Sequence, residues 1–281
     1  MIWQTARFAL DLTRPCIMGI VNVTPDSFSD GGLHHNAASA LRHCERLLQD
    51  GAHVLDIGGE SSRPGAQPLP AQDELQRVLP VVRGAVTMGV PVSVDTYKPY
   101  VMQAVLDLGA DIINDIWALR QPGAVDTVAR HPACGVCLMH MHREPLTMQE
   151  EPMRGDVVPQ VRDFLYRAAA DLRAQGVSAN RIVIDPGIGF GKTASQNFSL
   201  LARQGELLVA GYPVLAGWSR KSSLATTVSR VLADVATLDA HGRMVPSVAA
   251  ALLAVERGAR VVRVHDVRET AQALAVLQAI A

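Results

Sequence analysis

The chain has 281 residues, 48% of them hydrophobic and 19% charged, with a formal net charge of −1. That balance creates no large field, and no basic stripe is interleaved with aromatics, so nucleic acid is disfavoured as a partner. No stretch reaches the ~18 consecutive apolar residues of a membrane helix, and the first ten residues lack the apolar core of a signal peptide. No membrane partner and a cytoplasmic location are therefore expected.

Residues 2–12 alternate weakly and are expected to form a small hairpin, within residues 1–15, under the floor of the fold. The run 17–21 is apolar on both faces and reads as a strand of a parallel sheet. It ends at Asn22. Thr24, Pro25, Asp26, Ser27, Ser29, Asp30, Gly31 and Gly32 then make a loop roughly twice the usual 2–6 residues. A helix over 37–50 stops at Gly51. The second strand, 54–57, leads to a long loop over 58–71 and a helix over 72–88 ended by Gly89. The third strand is 92–94, followed by a helix over 99–109 with Pro99 in its first turn. The fourth strand is 111–113, and a helix over 124–130 leads to the fifth, 136–139. Residues 140–154 form a polar loop. A helix over 157–175 places Val161, Phe164, Leu165, Ala168 and Leu172 on one face. The last three strands are 182–184, 214–216 and 261–264, with helices starting near Ser222 and spanning 246–257 and 268–280. Eight apolar strands alternating with helices require parallel strands and right-handed crossovers, and about 250 residues suffice for such a barrel. The fold class is α/β. The expected architecture is a single (β/α)8 TIM barrel with a small N-terminal hairpin, one domain over residues 1–281.

The four cysteines, Cys16, Cys44, Cys134 and Cys137, are expected to be reduced. Cys134 and Cys137 have redox or zinc spacing, with His140 and His142 just beyond. No second pair completes a four-ligand site, so the preferred reading is a buried strand in which cysteine acts as a small hydrophobe.

In a parallel barrel the carboxyl ends of the strands share one rim, where ligands bind. The polar residues there are Asn22, Asp56, Asp95, Asn114, Asp185, Lys221, Arg263 and His265, with Glu60-Ser-Ser-Arg63 on a loop. Each alone could be a loop cap or a solvated charge. Together they put a polar group at nearly every strand end. A buried carboxylate such as Asp95 or Asp185 is costly unless it meets donors. Asp56, in mid-motif, reads as a structural hydrogen-bonding group. Only three lysines stand among 26 lysines and arginines, so Lys221 beside Arg220 is a chosen point charge. Lys192 in Gly187-Ile-Gly-Phe-Gly-Lys-Thr193 suggests a phosphate-binding loop, but Pro186 stands where that pattern needs glycine. Lys98 reads as a solvated residue before its helix. Arg263 and His265 are two apart on one strand and face the same way, and with Arg63 and Asn22 they form a candidate anion site.

Two long segments carry a family resemblance: Met18-Gly-Ile-Val-Asn-Val-Thr-Pro-Asp-Ser-Phe-Ser-Asp-Gly31 and Gly51-Ala-His-Val-Leu-Asp-Ile-Gly-Gly-Glu-Ser-Ser-Arg-Pro-Gly-Ala66. Both resemble the signatures of the dihydropteroate synthases. The similarity continues through 92–116, 135–141, 181–192, 213–222 and 260–269. It implies a transferase of folate biosynthesis. Such an enzyme joins 6-hydroxymethyl-7,8-dihydropterin pyrophosphate to 4-aminobenzoate and releases pyrophosphate, with Mg²⁺ as cofactor. By resemblance, Asp95, Asn114, Met139, Asp185, Phe190, Gly217, Lys221 and Arg263 bind pterin. Asn22, Ser62, Arg63, Arg263 and His265 hold pyrophosphate, with Asn22 on the metal. Phe28, Pro64, Phe190 and Ser222 form the aminobenzoate pocket, where a sulfonamide would compete. Asp95, Lys221, Arg263, His265 and Arg63 carry catalysis, and a homodimer is implied. Ser62 stands where many relatives carry threonine and keeps the hydroxyl. Trp218 stands where methionine is common and is expected to alter the aminobenzoate side. Three other readings compete. A folate-dependent methyltransferase of the related family would share the contacts of Asn114 and Asp185 but needs neither Arg63 nor Arg263-Val-His265. A catalytically inactive pterin binder need not retain the cations. A sugar-phosphate barrel explains the cations but not the paired carboxylates.

Overall fold

The computed structural model describes residues 1–24, 33–63, 65–232, 238–239 and 242–280. Eight parallel strands close into a barrel: β3 (Cys16–Asn22), β4 (Val54–Gly58), β5 (Val92–Asp95), β6 (Ile112–Asp115), β7 (Gly135–Met139), β8 (Ile182–Asp185), β9 (Val214–Ala216) and β10 (Ala259–Val264). They are hydrogen-bonded in chain order, and β10 pairs with β3 to close the ring. A separate antiparallel hairpin, β1 (Ile2–Gln4) and β2 (Ala9–Asp11), precedes the barrel. The outer layer consists of α1 (Leu33–Gln49), α2 (Ala71–Ala85), α3 (Pro99–Asp107), α4 (Ala124–Arg130), α5 (Val157–Ala174), α6 (Ala194–Ala202), α7 (Ser222–Val231), α8 (Met244–Glu256) and α9 (Val267–Gln278).

The strands are apolar on both faces because both faces are covered. Leu55 and Ile57 of β4, Val92 and Val94 of β5, and Ile182 and Ile184 of β8 face the helices and join the main core. Their neighbours in sequence face the barrel axis. There Met18, Val54, Ile112, Cys137, Val183, Leu215 and Val261 form an apolar floor, which Trp3 and Leu12 of the hairpin segment plug from below. Trp3 is fully buried, and its Nε1 donates to the Arg181 carbonyl at 3.0 Å. The plug sits so close that a Cβ on Gly135 would lie 3.1 Å from Trp3 Nε1. All four cysteines are buried free thiols. Cys137 belongs to the floor, which accounts for the Cys134–Cys137 spacing without a metal.

The elements depart from the sequence expectation mainly at their ends. Helix α1 begins at Leu33 rather than 37, and α2 ends at Ala85, short of Gly89. Strands β5, β6 and β8 continue through Asp95, Asp115 and Asp185, because an inward polar residue still pairs its backbone. Helix α6 was not expected at all. Its signal is present: Thr193 and Gln196 form a reciprocal capping box.

The hairpin should act as a stopper. Trp3→Ala is expected to cost about 3–5 kcal/mol, as removal of a buried large aromatic does. A urea titration measures this, and a loss under about 1 kcal/mol would show that the floor closes without it.

Candidate active site

The site is the next layer of the same interior. Side chains two apart on a strand share a face. Moving two residues along from the floor leads from Val54 to Asp56, Ile112 to Asn114, Cys137 to Met139, Val183 to Asp185, Leu215 to Gly217 and Val261 to Arg263. Asp95 pairs in register with Asn114, and Met139 with Asp185. Asp56, Asp95, Asn114, Asp185 and Arg263 therefore lie in one layer, with Met139 and Gly217 beside them.

Arg263 organises that layer. Its Nε donates to Asp56 Oδ2 at 2.6 Å and its Nη2 to Asp95 Oδ2 at 2.7 Å. Asn114 Nδ2 donates to the same Asp56 oxygen at 3.2 Å. Asp56 thus orients Arg263 and Asn114 together. Burial alone would lower the Arg263 pKa, but Asp56 and Asp95 outweigh it and hold the guanidinium ionised. Burial pushes the Asp95 carboxyl up to about 7, against the pull of Arg263. It also raises Asp185, although Asp185 Oδ1 accepts from the Gly187 amide at 2.7 Å.

Around Asp185 the backbone comes close. Gly187 has φ +65°, and a Cβ there would lie 1.9 Å from the His140 carbonyl oxygen, so only glycine fits. Gly217 leaves Asp185 uncovered, since a Cβ there would lie 3.8 Å from Oδ2. Lys221 Nζ stands 4.2 Å over the Phe190 ring, and burial lowers its pKa to about 8. Lys192 donates to the carbonyls of Gly187, Phe190 and His140 and ties the glycine loop together. Its ammonium is engaged by backbone, in keeping with the rejected phosphate-loop pattern. Met139 and Phe190 pack with Ile116, Met141 and Met148, beside Tyr97 and Trp117, as an apolar wall. The sequence reading missed Ile116, although it lies two residues past Asn114.

Further cations follow β9 and β10. His265 Nδ1 lies 2.9 Å from Ser219 Oγ, a partner the sequence reading did not find. Burial, followed by Arg220, Arg263, Lys221 and Arg63, pushes the His265 pKa down to about 3. The imidazole is therefore neutral near pH 7. Arg220 is anchored by Asp266 at 2.6 Å. Arg63 is exposed, Ser62 and Asn22 are half-buried, and Ser222 is exposed at the start of α7. Phe28 and Pro64 lie outside the described residues.

Two expectations are corrected. Trp218 is buried in the layer between strands and helices, its ring 5.2 Å from that of Phe198 on α6, so it braces α6 rather than facing the barrel mouth. Lys98 is not solvated. It is sheltered and ion-paired with both Glu60 and Glu74, because the loop after β4 folds back over the start of α3.

A model of the family described as pterin binding enzymes matches residues 18–265. The dihydropteroate synthase of Neisseria meningitidis serogroup C is 48% identical over 99% of this chain and 97% of its own length. This chain belongs to the dihydropteroate synthase family. Among solved members, the synthase of Xanthomonas albilineans with 4-aminobenzoic acid superposes with a TM-score of 0.91 at 46% identity, covering 100% of this chain and 98% of that one. The Burkholderia cenocepacia synthase complexed with 7,8-dihydropteroate gives 0.87 at 50%, covering 99% and 96%. In this synthase fold the strand-end layer lies within the family-matched residues.

The raised Asp95 pKa sets a pH dependence for ligands that donate to it. Below about 7 the carboxyl is protonated and loses acceptor strength. Affinity for 6-hydroxymethylpterin is expected to fall by up to about tenfold per pH unit below 7, since one unit corresponds to about 1.4 kcal/mol. Calorimetric titrations from pH 5 to 8 measure it. A flat profile would mean that Asp95 stays ionised throughout.

Proposed function

We infer that this chain catalyses the condensation of 6-hydroxymethyl-7,8-dihydropterin pyrophosphate with 4-aminobenzoate to 7,8-dihydropteroate and pyrophosphate. The observation that carries the reading is the Asp95 and Asp185 carboxylates and the Asn114 amide gathered in one layer, with Arg263 among them and His265 two residues further along the chain. The first group suits a flat heterocycle with a guanidine-like edge, whose parallel N–H donors match a carboxylate. Asn114 can both donate and accept. The second group suits a diphosphate. One substrate carries both features, joined through a methylene.

In this reading Asp95, Asn114, Asp185 and Lys221 hold the pterin edge, and Met139, Phe190 and Gly217 admit its faces. Arg263, Arg63, His265, Ser62 and Asn22 receive the pyrophosphate. As the methylene C–O bond breaks, its electron pair leaves on pyrophosphate, where Arg263 and Arg63 stabilise the growing charge. Neutral His265 keeps an imidazole available as a hydrogen-bond partner for a phosphate oxygen. The cation left on the pterin methylene is delocalised into the ring and lies near the Asp95 carboxylate. The neutral arylamine nitrogen then forms the C–N bond and gives its proton to solvent or pyrophosphate. No nucleophilic side chain is required. Phe28, Pro64, Phe190 and Ser222 would border the aminobenzoate. The loop after β4, which carries Ser62 and Arg63, would help to exclude water from the reacting carbon.

Among the described residues no cluster of three or more His, Cys, Asp or Glu could hold a metal ion. The hard amide oxygen of half-buried Asn22 does fit an ion that keeps most of its own ligands, which is how Mg²⁺ rides on substrate phosphates. Asn22 would hold it, and bound there it would neutralise part of the leaving group's charge. Exposed Val245 and Leu253 of α8 and Val231 at the end of α7 support a homodimer through the barrel helices. Among the described residues no helix is long and apolar enough to cross a membrane. Buried free thiols are compatible with the cytoplasm. One domain over residues 1–281, with its hairpin in residues 1–15, would perform the whole reaction. Against a folate-dependent methyltransferase stand Arg63 and the Arg263-Val264-His265 run, for which such an enzyme has no use.

The direct experiment follows pyrophosphate and dihydropteroate together, with and without Mg²⁺ and 4-aminobenzoate. Equal amounts formed only when both are present are expected. Pterin binding without turnover would mean an inactive binder instead. Asp185→Asn keeps the shape but removes the charge that accepts the pterin donors, and is expected to lower kcat/KM by at least about a hundredfold. Near-wild-type turnover would remove Asp185 from the site. A sulfonamide is expected to inhibit competitively against 4-aminobenzoate in steady-state kinetics.

A further inference from the structure

The loop after β4 carries Ser62 and Arg63, and its attachment lies just upstream, at Glu60. That carboxylate is gripped from three directions. Tyr97 Oη donates to Oε1 at 2.9 Å, the Leu69 amide donates to the same oxygen at 3.3 Å, and Lys98 Nζ bonds to Oε2. Lys98 also bonds to Glu74 of α2 and lies 4.7 Å over the Tyr97 ring. The Lys98 and Glu60 side chains are only 13% and 12% exposed, and Glu74 only 1%. An exposed pair would do little to fix geometry. A sheltered one with several donors on a single carboxylate does fix it.

Lys98 lies three residues beyond Asp95, on the segment leading from β5 into α3. The cation that holds the Arg63 loop is therefore carried by the same segment as a pterin carboxylate. Glu60, Ser62, Glu74, Asp95, Thr96 and Tyr97 line one small cavity between the two segments. Arg63 is exposed, so its place depends on the backbone that carries it.

We propose that Lys98 and Glu60 are positioning residues whose ion pair fixes the Arg63 loop relative to Asp95, so that pyrophosphate is held where the pterin methylene lies. The proposal rests on the synthase reading and adds two residues that touch no substrate. It predicts a split: loosening the pair harms the pyrophosphate half of the site and spares the pterin half.

Lys98→Met alone would strand two sheltered carboxylates and endanger folding. The decisive variant is Glu60→Gln, which leaves Lys98 and Glu74 as a one-to-one pair and keeps an oxygen for Tyr97. A second variant, Lys98→Gln with Glu74→Gln, removes one charge of each sign. Calorimetry would give the Kd of 6-hydroxymethylpterin and of inorganic pyrophosphate with Mg²⁺, and kinetics would give KM and kcat for dihydropterin pyrophosphate. Both variants are expected to weaken pyrophosphate and to lower kcat/KM by about tenfold to a hundredfold, the scale of a small misplacement. Pterin affinity is expected to stay within about twofold. Unchanged pyrophosphate affinity, or parallel loss of both ligands, would overturn the proposal. If the wild-type chain forms no dihydropteroate, the synthase reading fails separately, and the two binding constants still decide the clamp.

Discussion

A single guanidinium inside the barrel mouth sets the terms for the residues around it. Arg263 reaches from β10 to Asp56 on β4 and Asp95 on β5. A buried charge is tolerable only when paired, and a buried pair resists loss of either member far more than it stabilises the fold. Arg263 therefore constrains three strands at once. Asp56 accepts from Arg263 and Asn114 at once, and Asp95 accepts from the same arginine. The fork geometry matters as much as the charge. Nε and Nη2 point to different acids, which a lysine could not do.

This arrangement is possible because the interior is built in levels. On β4, β6, β8 and β10 one inward residue belongs to the apolar floor, and the residue two further on is polar. The floor is apolar and the layer above it polar, so the same strand supplies stability at one end and chemistry at the other. The floor also fixes the depth of the polar layer. The Trp3 plug and the close approach at Gly135 leave no room for a ligand to sink further.

Much of this was legible in the sequence. Alternation of apolar strands with helices implied the barrel, and the shared carboxyl rim of a parallel barrel gathered Asp56, Asn114, Asp185 and Arg263. What escaped was set by contacts distant in the chain. Lys98 reads as an ordinary residue before a helix until Glu60, 38 positions away, folds against it. Trp218 lies beside site residues in sequence, but its ring is claimed by Phe198. Neither a propensity nor a local period reports such pairings. Helix α6 is a different case. Its capping signal is local, but Lys192-Thr193 also continues a glycine-rich run that resembles a phosphate loop, and the two readings compete for the same residues.

The plugged floor has a further consequence, for traffic. A barrel closed at one end by Trp3 and Leu12 is a well with a single opening. A ligand seated at the depth of Asp185 and Asn114 would have to enter before anything nearer the lip, and whatever is built on it would leave by the way it came. In the synthase reading the pterin loads first, the arylamine follows, and the joined product departs only after pyrophosphate has cleared the mouth. On that reading the hairpin at the opposite end of the molecule constrains the order of the catalytic cycle.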